Sequence, residues 1–432
     1  MGQNPPPRHL AGRPSLLFLS PVVPSESNGG LAMRSGVFLE SYARHFDVSL
    51  VVIPILGSAQ DSAAIAFASG LARKCELLPQ HDIASPMMRL AARHRDRNSL
   101  RQALLRHPLP RECIYDADMV GKLIEERLKG VTFSYLHVER LYLAPLAARW
   151  LGRMPSIVDI DDDEVTTRLR MAALYEAEGD VDQAELCAAS AEKFRALETA
   201  WLRQFTLSTL ASGRDAARLV DRNPGSKVSV VPNAVRLPIE PRSEGPGPES
   251  RPIDILMVGT LNYYPNAEAA QHLCRHVRPY LVEAGWIPRI AIVGRQPVPM
   301  VRELAGIEGV EVHADVPDVA PFYADSSFVI VPLRAGGGSR IKILEALSFG
   351  LPVVSTALGA EGLNLIDGEH LLIADGAERL AAALLRLRRD RALARSISRQ
   401  GQNLVSRRYS FEEVSKAVDR IIGANPVAAP CR

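Results

Sequence analysis

Gly336, Gly337 and Gly338 stand side by side, and Ser339, Arg340, Lys342 and Glu345 follow within a few residues. Consecutive glycines let the backbone turn with no Cβ in the way and leave amides free to face a ligand. Arg340 and Lys342 bring positive charge into the first turn of the helix that follows, where the helix dipole already favours an anion. Glu345 lies one turn further on. A phosphate-bearing ligand suits this set. The elements that must position it read as a short buried strand, Phe328 to Pro332, the glycine loop, a helix halted by Gly350-Leu351-Pro352, and a strand from Val353 to Ser355.

Other chemistry-bearing residues also fall at the ends of strand-like runs. Ser15 to Ser20 reads as a strand, Gly30 to His45 as a helix and Val48 to Pro54 as a strand. Gly29-Gly30 then either makes a tight turn or faces a phosphate at the carboxyl end of the first strand. Thr132 to Leu136 reads as a strand leading to His137, Glu139 and Arg140. His137 is a candidate catalytic residue there; the alternative is a structural histidine. Ser156 to Ile160 is followed by Asp161, Asp162, Asp163 and Glu164. Neighbours in sequence do not all face one point, so this run is a poor metal site. Asp161 or Asp162 is a candidate to face a ligand at the strand's carboxyl end, and the others suit a helix start.

Later in the chain, Ile253 to Val258 reads as a strand ending at Gly259, and Arg289 to Val293 as a strand ending at Gly294-Arg295. Arg295 is either a ligand contact or a solvated loop charge. Val310 to His313 is a further strand, before Val316 to Tyr323. Glu361, in the loop after Ser355, reads by position as a loop or helix-capping carboxylate.

With 432 residues the chain exceeds one ordinary core and suggests two domains. Hydrophobic residues at 47% and charged residues at 23% fit a soluble globular protein, and a net charge of +2 implies no nucleic-acid partner. Five scattered cysteines form no C-x-x-C pair, which points away from a disulfide framework and a zinc site and towards a reducing cytoplasm. No apolar run approaches the length of a membrane-spanning helix. The basic, leucine-bearing stretch Met87–Glu112 reads either as a surface for anionic lipid, hence a peripheral membrane contact, or as a solvated helix face. There is no G-x-G-x-x-G and no P-loop motif, which argues against dinucleotide oxidoreductases and P-loop NTPases. No paired carboxylates suggest a glycosidase.

Strands and helices alternate in both halves, the pattern of parallel sheets covered on both faces. The organisation expected is a disordered start at 1–14, an α/β domain at 15–235, a Pro- and Gly-rich linker at 236–252, a second α/β domain at 253–410 and a final helix and tail at 411–432. Long helical regions are expected over 167–203 and 377–401.

The segment GGGSRIKILEALSFGLPVVST resembles the donor-site segment of GT-B glycosyltransferases of the family 4-like group (glycosyl transferases group 1). V-P-N-A-V at Val231–Val235 is similar to that group's V-P-N-G-V/I, and Gly359 to Leu363 to its G-x-E-G-L. The resemblance implies two Rossmann-like doubly wound domains facing a cleft. It implies a nucleotide-sugar donor whose ribose meets Glu345, with Gly29, Gly30, Gly259, Arg295, the loop Gly336–Ser339 and Glu361 around the donor. It also implies His137 near the reacting sugar, Arg140 on a diphosphate or acceptor, retention of anomeric configuration, and no cofactor or metal. The acceptor would be a glycan, a lipid-linked or a small molecule, met in the cytoplasm or at the inner face of the membrane.

This chain departs from the group in two places. Gly337 stands where a second glutamate is usual, and LNYYPNAEAA lacks the usual Arg and Lys, so that Arg340 or Lys342 is expected to supply the charge. A nucleotide-sugar epimerase or a non-catalytic binder of the same fold are the alternatives.

Overall fold

The computed structural model describes residues 12–27, 29–55, 61–79, 83, 97–113, 115–238, 252–338 and 340–425. Ser339, most of the expected linker, most of the Pro-rich start and the first part of the basic stretch lie outside the described residues. The chain divides into two compact units, Met1–Pro232 with Val414–Arg432, and Asn233–Glu413.

The first unit is built on seven parallel strands: β1 Ser15–Ser20, β2 Asp47–Val52, β3 Lys74–Leu77, β4 Tyr135–Glu139, β5 Ser156–Asp161, β6 Leu207–Leu210 and β7 Val228–Val230. Their order is β3-β2-β1-β4-β5-β6-β7. β1 carries an unbroken apolar run from Leu16 to Leu19 and β2 one from Leu50 to Val52, all buried, as central strands of a sheet covered on both faces must be. The direction of strand addition reverses between β1 and β4, so the helices that follow them leave to opposite faces and a crevice opens at their carboxyl ends.

The second unit repeats the plan with β8 Ile253–Val258, β9 Ile290–Gly294, β10 Val310–Ala314, β11 Ser326–Val331, β12 Val353–Ser355 and β13 Leu372–Ile373, in the order β10-β9-β8-β11-β12-β13. Its reversal falls between β8 and β11.

The structure corrects the sequence reading in several places. β4 begins three residues later than expected, because its pairing with β1 sets Tyr135 against Leu16. The helical region expected over 167–203 consists of two helices, Glu164–Ala177 and Val181–Trp201. Gly179 takes φ 81°, open to glycine, and the Asp180 carboxylate then caps the second helix by accepting from Gln183 N at 3.1 Å. Asp390 divides the 377–401 stretch in the same way, accepting from Leu393 N at 2.9 Å. The final helix, Phe411–Ala424, packs on the first unit: Ser415 Oγ lies 3.3 Å from Ser41 Oγ, and Asp419 meets Arg44 at 3.1 Å and His45 at 3.0 Å. Among the described residues no helix is long and apolar enough to cross a membrane. In the described part of the basic stretch, Arg101 pairs with Asp182 at 3.1 Å and with Glu185, so this cation is engaged within the unit.

Candidate functional site

The crevice of the second unit gathers most of the residues singled out after Val331. Gly259 ends β8, and a Cβ there would come within 2.9 Å of the Asn266 carboxamide and 3.0 Å of Lys342 Nζ. Gly294 ends β9, where a Cβ would lie 1.7 Å from the Gly259 carbonyl oxygen. The backbones of these strand ends are packed as closely as glycine allows. In the loop after β11, Gly336 has φ 106° and Gly338 φ 75°, conformations that side-chain-bearing residues avoid. Arg340 stands at the N-cap of the helix Ile341–Ser348, and its guanidinium turns back to donate to the Gly337 carbonyl. It is buried, and its charge stiffens the loop from within.

Lys342 is partly buried, and its ammonium donates to Asn266 Oδ1 at 2.6 Å. Burial, and then the neighbouring Arg340 charge, push its pKa down to about 7, against the pull of Glu345. Glu345 accepts a hydrogen bond from the Tyr323 hydroxyl at 3.0 Å. Burial raises its pKa, while the Tyr323 bond and Lys342 oppose the rise. The Tyr323 ring, itself fully buried, stacks on Phe349 at 5.3 Å and 17°. The loop after β11 is tied to the helix after β8 by Arg334, which reaches Glu268 at 2.8 and 2.6 Å. A glycine loop, a cation whose protonation is poised near neutrality and a fixed carboxyl group therefore share one sheet edge. Such an edge can neutralise a diphosphate and hold a hydroxyl-bearing group beside it.

Arg295 is exposed at the end of β9, where its backbone carbonyl accepts from Leu261 N at 2.8 Å. Glu361 is partly buried in the loop after β12. Asn266 and Tyr323 did not emerge from the sequence as site residues. The signals that carry them are Pro265 opening the helix Tyr264–His272, and the aromatic end of Val316 to Tyr323.

The first unit has its own polar cluster at the ends of β1, β4 and β5. Gly29 takes φ 116° just before the helix Gly30–Ala43. Arg140 (φ 73°) and Asp161 (φ 66°) both hold backbone conformations unfavourable for side-chain-bearing residues, and such strain gathers at functional sites. Arg140 is not a free cation. It donates to the Ile160 carbonyl at 3.0 Å and to Asp162, and lies 3.4 Å from Asp161. Asp163 caps the helix after β5 through Thr166 N at 3.1 Å and pairs with Arg222 at 2.7 Å. Asp161, Asp162 and Glu164 thus gather around the Arg140 guanidinium, while Asp163 turns to its own partners; among the described residues no group of carboxylates could hold a metal ion. Beneath it, Arg34 reaches Asp159 through two 2.6 Å bonds and the Val231 carbonyl at 2.8 Å.

His137 requires a correction. It lies inside β4 rather than beyond its end, is 0% exposed, and is enclosed by Phe18, Phe38 and Tyr42, whose hydroxyl is 2.9 Å from Nδ1. Burial lowers its pKa to about 3, so the ring is neutral and does not form an ion pair with Glu139, 3.5 Å from Nε2. A residue so enclosed does not touch a reacting sugar; it belongs to the core.

Residues 252–390 match the family model described as Glycosyl transferases group 1. No curated protein matches the sequence. Among solved structures, sucrose-phosphate synthase of Thermosynechococcus elongatus is similar at 15% identity, over 95% of this chain and 99% of that one, with a TM-score of 0.64. Anabaena HepE in complex with UDP and glucose is similar at 12% identity, over 95% and 99%, with a TM-score of 0.64. A glycosyltransferase from Rickettsia africae ESF-5 is similar at 11% identity, over 96% and 98%, with a TM-score of 0.58. The chain therefore has the GT-B fold seen in these glycosyltransferases, and its residues 252–390 match the glycosyl transferases group 1 model.

Proposed function

We propose that this protein transfers a sugar from a nucleoside-diphosphate donor to an acceptor hydroxyl, with retention of anomeric configuration and no need of a divalent metal. The observation that carries this reading is the meeting of Lys342, the Gly336–Gly338 loop and the Tyr323-bound Glu345 at the β8/β11 switch point. In the reaction the bond from the sugar's anomeric carbon to the diphosphate oxygen breaks and a bond to the acceptor oxygen forms. The acceptor's proton passes to the departing phosphate. Lys342 and loop amides offset the charge that grows on the diphosphate, and Glu345 holds the ribose. A single preorganised donor of this kind is worth about 10²–10³ in turnover. Gly29, Gly30, Arg295 and Glu361 belong to the donor's surroundings in this reading, and Arg140, Asp161 and Asp162 to the acceptor's.

A UDP-sugar is the first donor to test, since HepE has been seen with UDP and glucose. The acceptor class is a glycan, a lipid-linked or a small-molecule hydroxyl, in polysaccharide or glycoconjugate synthesis. The place is the cytoplasm, at the inner face of the membrane if the acceptor is lipid-linked.

A thermal-shift screen against UDP-, GDP-, ADP- and dTDP-sugars would name the nucleotide. Glu345→Ala and Lys342→Ala are expected to cut transfer by about 10²-fold or more with little change in melting temperature. Turnover equal to wild type in both variants would discard the assignment. Gly337, in the place of the group's usual glutamate, favours one competing reading, a binder without turnover. Calorimetric binding with no nucleotide release for any acceptor would establish it, and donor isomerisation without acceptor would establish an epimerase.

A further inference from the structure

The stretch LNYYPNAEAA after β8 carries no Arg or Lys, yet the crevice is not without a cation there. Asn266, from that stretch, has both ends of its amide committed. Its Nδ2 donates to the Thr260 carbonyl at 2.9 Å, which turns Oδ1 towards Lys342 Nζ, 2.6 Å away. Lys342 comes from the opposite bank, on the helix after β11. The backbone of Gly259 presses against the pair, leaving no room for a side chain at that position.

We propose that Asn266 is a positioning residue that holds the Lys342 ammonium over the β8 turn to meet the pyrophosphate of a nucleoside-diphosphate ligand. The inference rests on the reading of this crevice as the donor site. An amide suits the task better than a carboxylate. It fixes the ammonium by a hydrogen bond without neutralising it, so the charge remains available to phosphate. Among the described residues, the charged groups that act on Lys342 are Arg340 and Glu345 on its own loop and helix; Tyr323 is bonded to Glu345, and Arg334, on the loop after β11, is paired with Glu268. Asp318 acts on Glu345.

The test uses the full chain and the variants Asn266→Ala and Asn266→Asp. The rate of Lys342 acylation by acetic anhydride is followed against pH by mass spectrometry, without ligand. Loss of the acceptor should move the onset of labelling to lower pH in N266A, and a carboxylate should move it to higher pH in N266D. Calorimetry with UDP, GDP and ADP should show both variants weakened by about tenfold or more towards the nucleotide that wild type binds. Opposite shifts in labelling with a shared loss of affinity are not the result of a packing defect. Unchanged labelling in both variants overturns the positioning role whatever the ligand. Shifted labelling in variants of a wild type that binds no nucleoside diphosphate overturns the donor-site reading and with it the ligand assigned here.

Discussion

The protonation state of buried side chains decides what the crevice can hold. Burial pushes the Lys342 pKa down to about 7, so in the proposed donor site a diphosphate would select its charged form. Binding then takes up protons, and affinity is expected to fall as pH rises above about 7, which calorimetry in buffers of different ionisation enthalpy would detect. Tyr323 fixes one oxygen of Glu345, so Tyr323→Phe is expected to raise the donor KM about fivefold with a smaller effect on kcat, and to move the acid limb of donor binding to higher pH. Glu139 gives the opposite kind of test. It is 0% exposed, and burial and then the Asp159 charge raise its pKa well above 4.5. Its folded state keeps a proton that the unfolded chain releases above that pH, so it costs stability as pH rises. Glu139→Gln is expected to stabilise the protein by about 1 kcal/mol at pH 8 and by less at pH 5, measured by urea unfolding. His137, lowered to about 3 from 6.5, has the reverse sign: its contribution is lost as pH falls below 6.5.

Elements place these groups by bringing strand ends together. β8 and β9 end in glycines packed so closely that a methyl on Gly294 would overlap the Gly259 carbonyl. Gly294→Ala is expected to cost about 3 kcal/mol in urea unfolding and to weaken nucleotide binding, because the β8 turn that supports Asn266 would have to move. Helix starts are marked by Asp and Ser caps such as Asp61, Asp116 and Ser212, each accepting from a backbone N–H in the first turn. Such caps decide where a long helical pattern breaks. Asp180 opens the second helix two residues after the C-cap Glu178 of the first, and Asp390 is at once the C-cap of one helix and the N-cap of the next.

At the scale of the whole chain, each unit carries one doubly wound sheet, and the last helix belongs to the first unit although the second precedes it in sequence. Val414 and Val418 on that helix are buried at 1% and 0% exposure. Val418→Ala is expected to lower the stability of the first unit by about 1–2 kcal/mol, read by hydrogen exchange in β1 and the helix Gly30–Ala43. Equal protection in wild type and variant would contradict the packing described. The two units part at Pro232–Asn233 and Glu413–Val414.

The amino-acid sequence by itself determined the strand–helix alternation, the glycine loop at Gly336–Gly338 and the cation and carboxylate on the helix after it. These need only neighbours within a turn or two, and such short-range constraints are written in residue type. Tertiary structure alone decided which distant residues meet. Lys342 finds Asn266 across 76 positions and Glu345 finds Tyr323 across 22, because β8 and β11 lie side by side. It also decided that His137 is core. The local pattern suited a strand over 132–136 as well as one over 135–139, and only pairing with β1 moved the histidine from the strand's end into its middle.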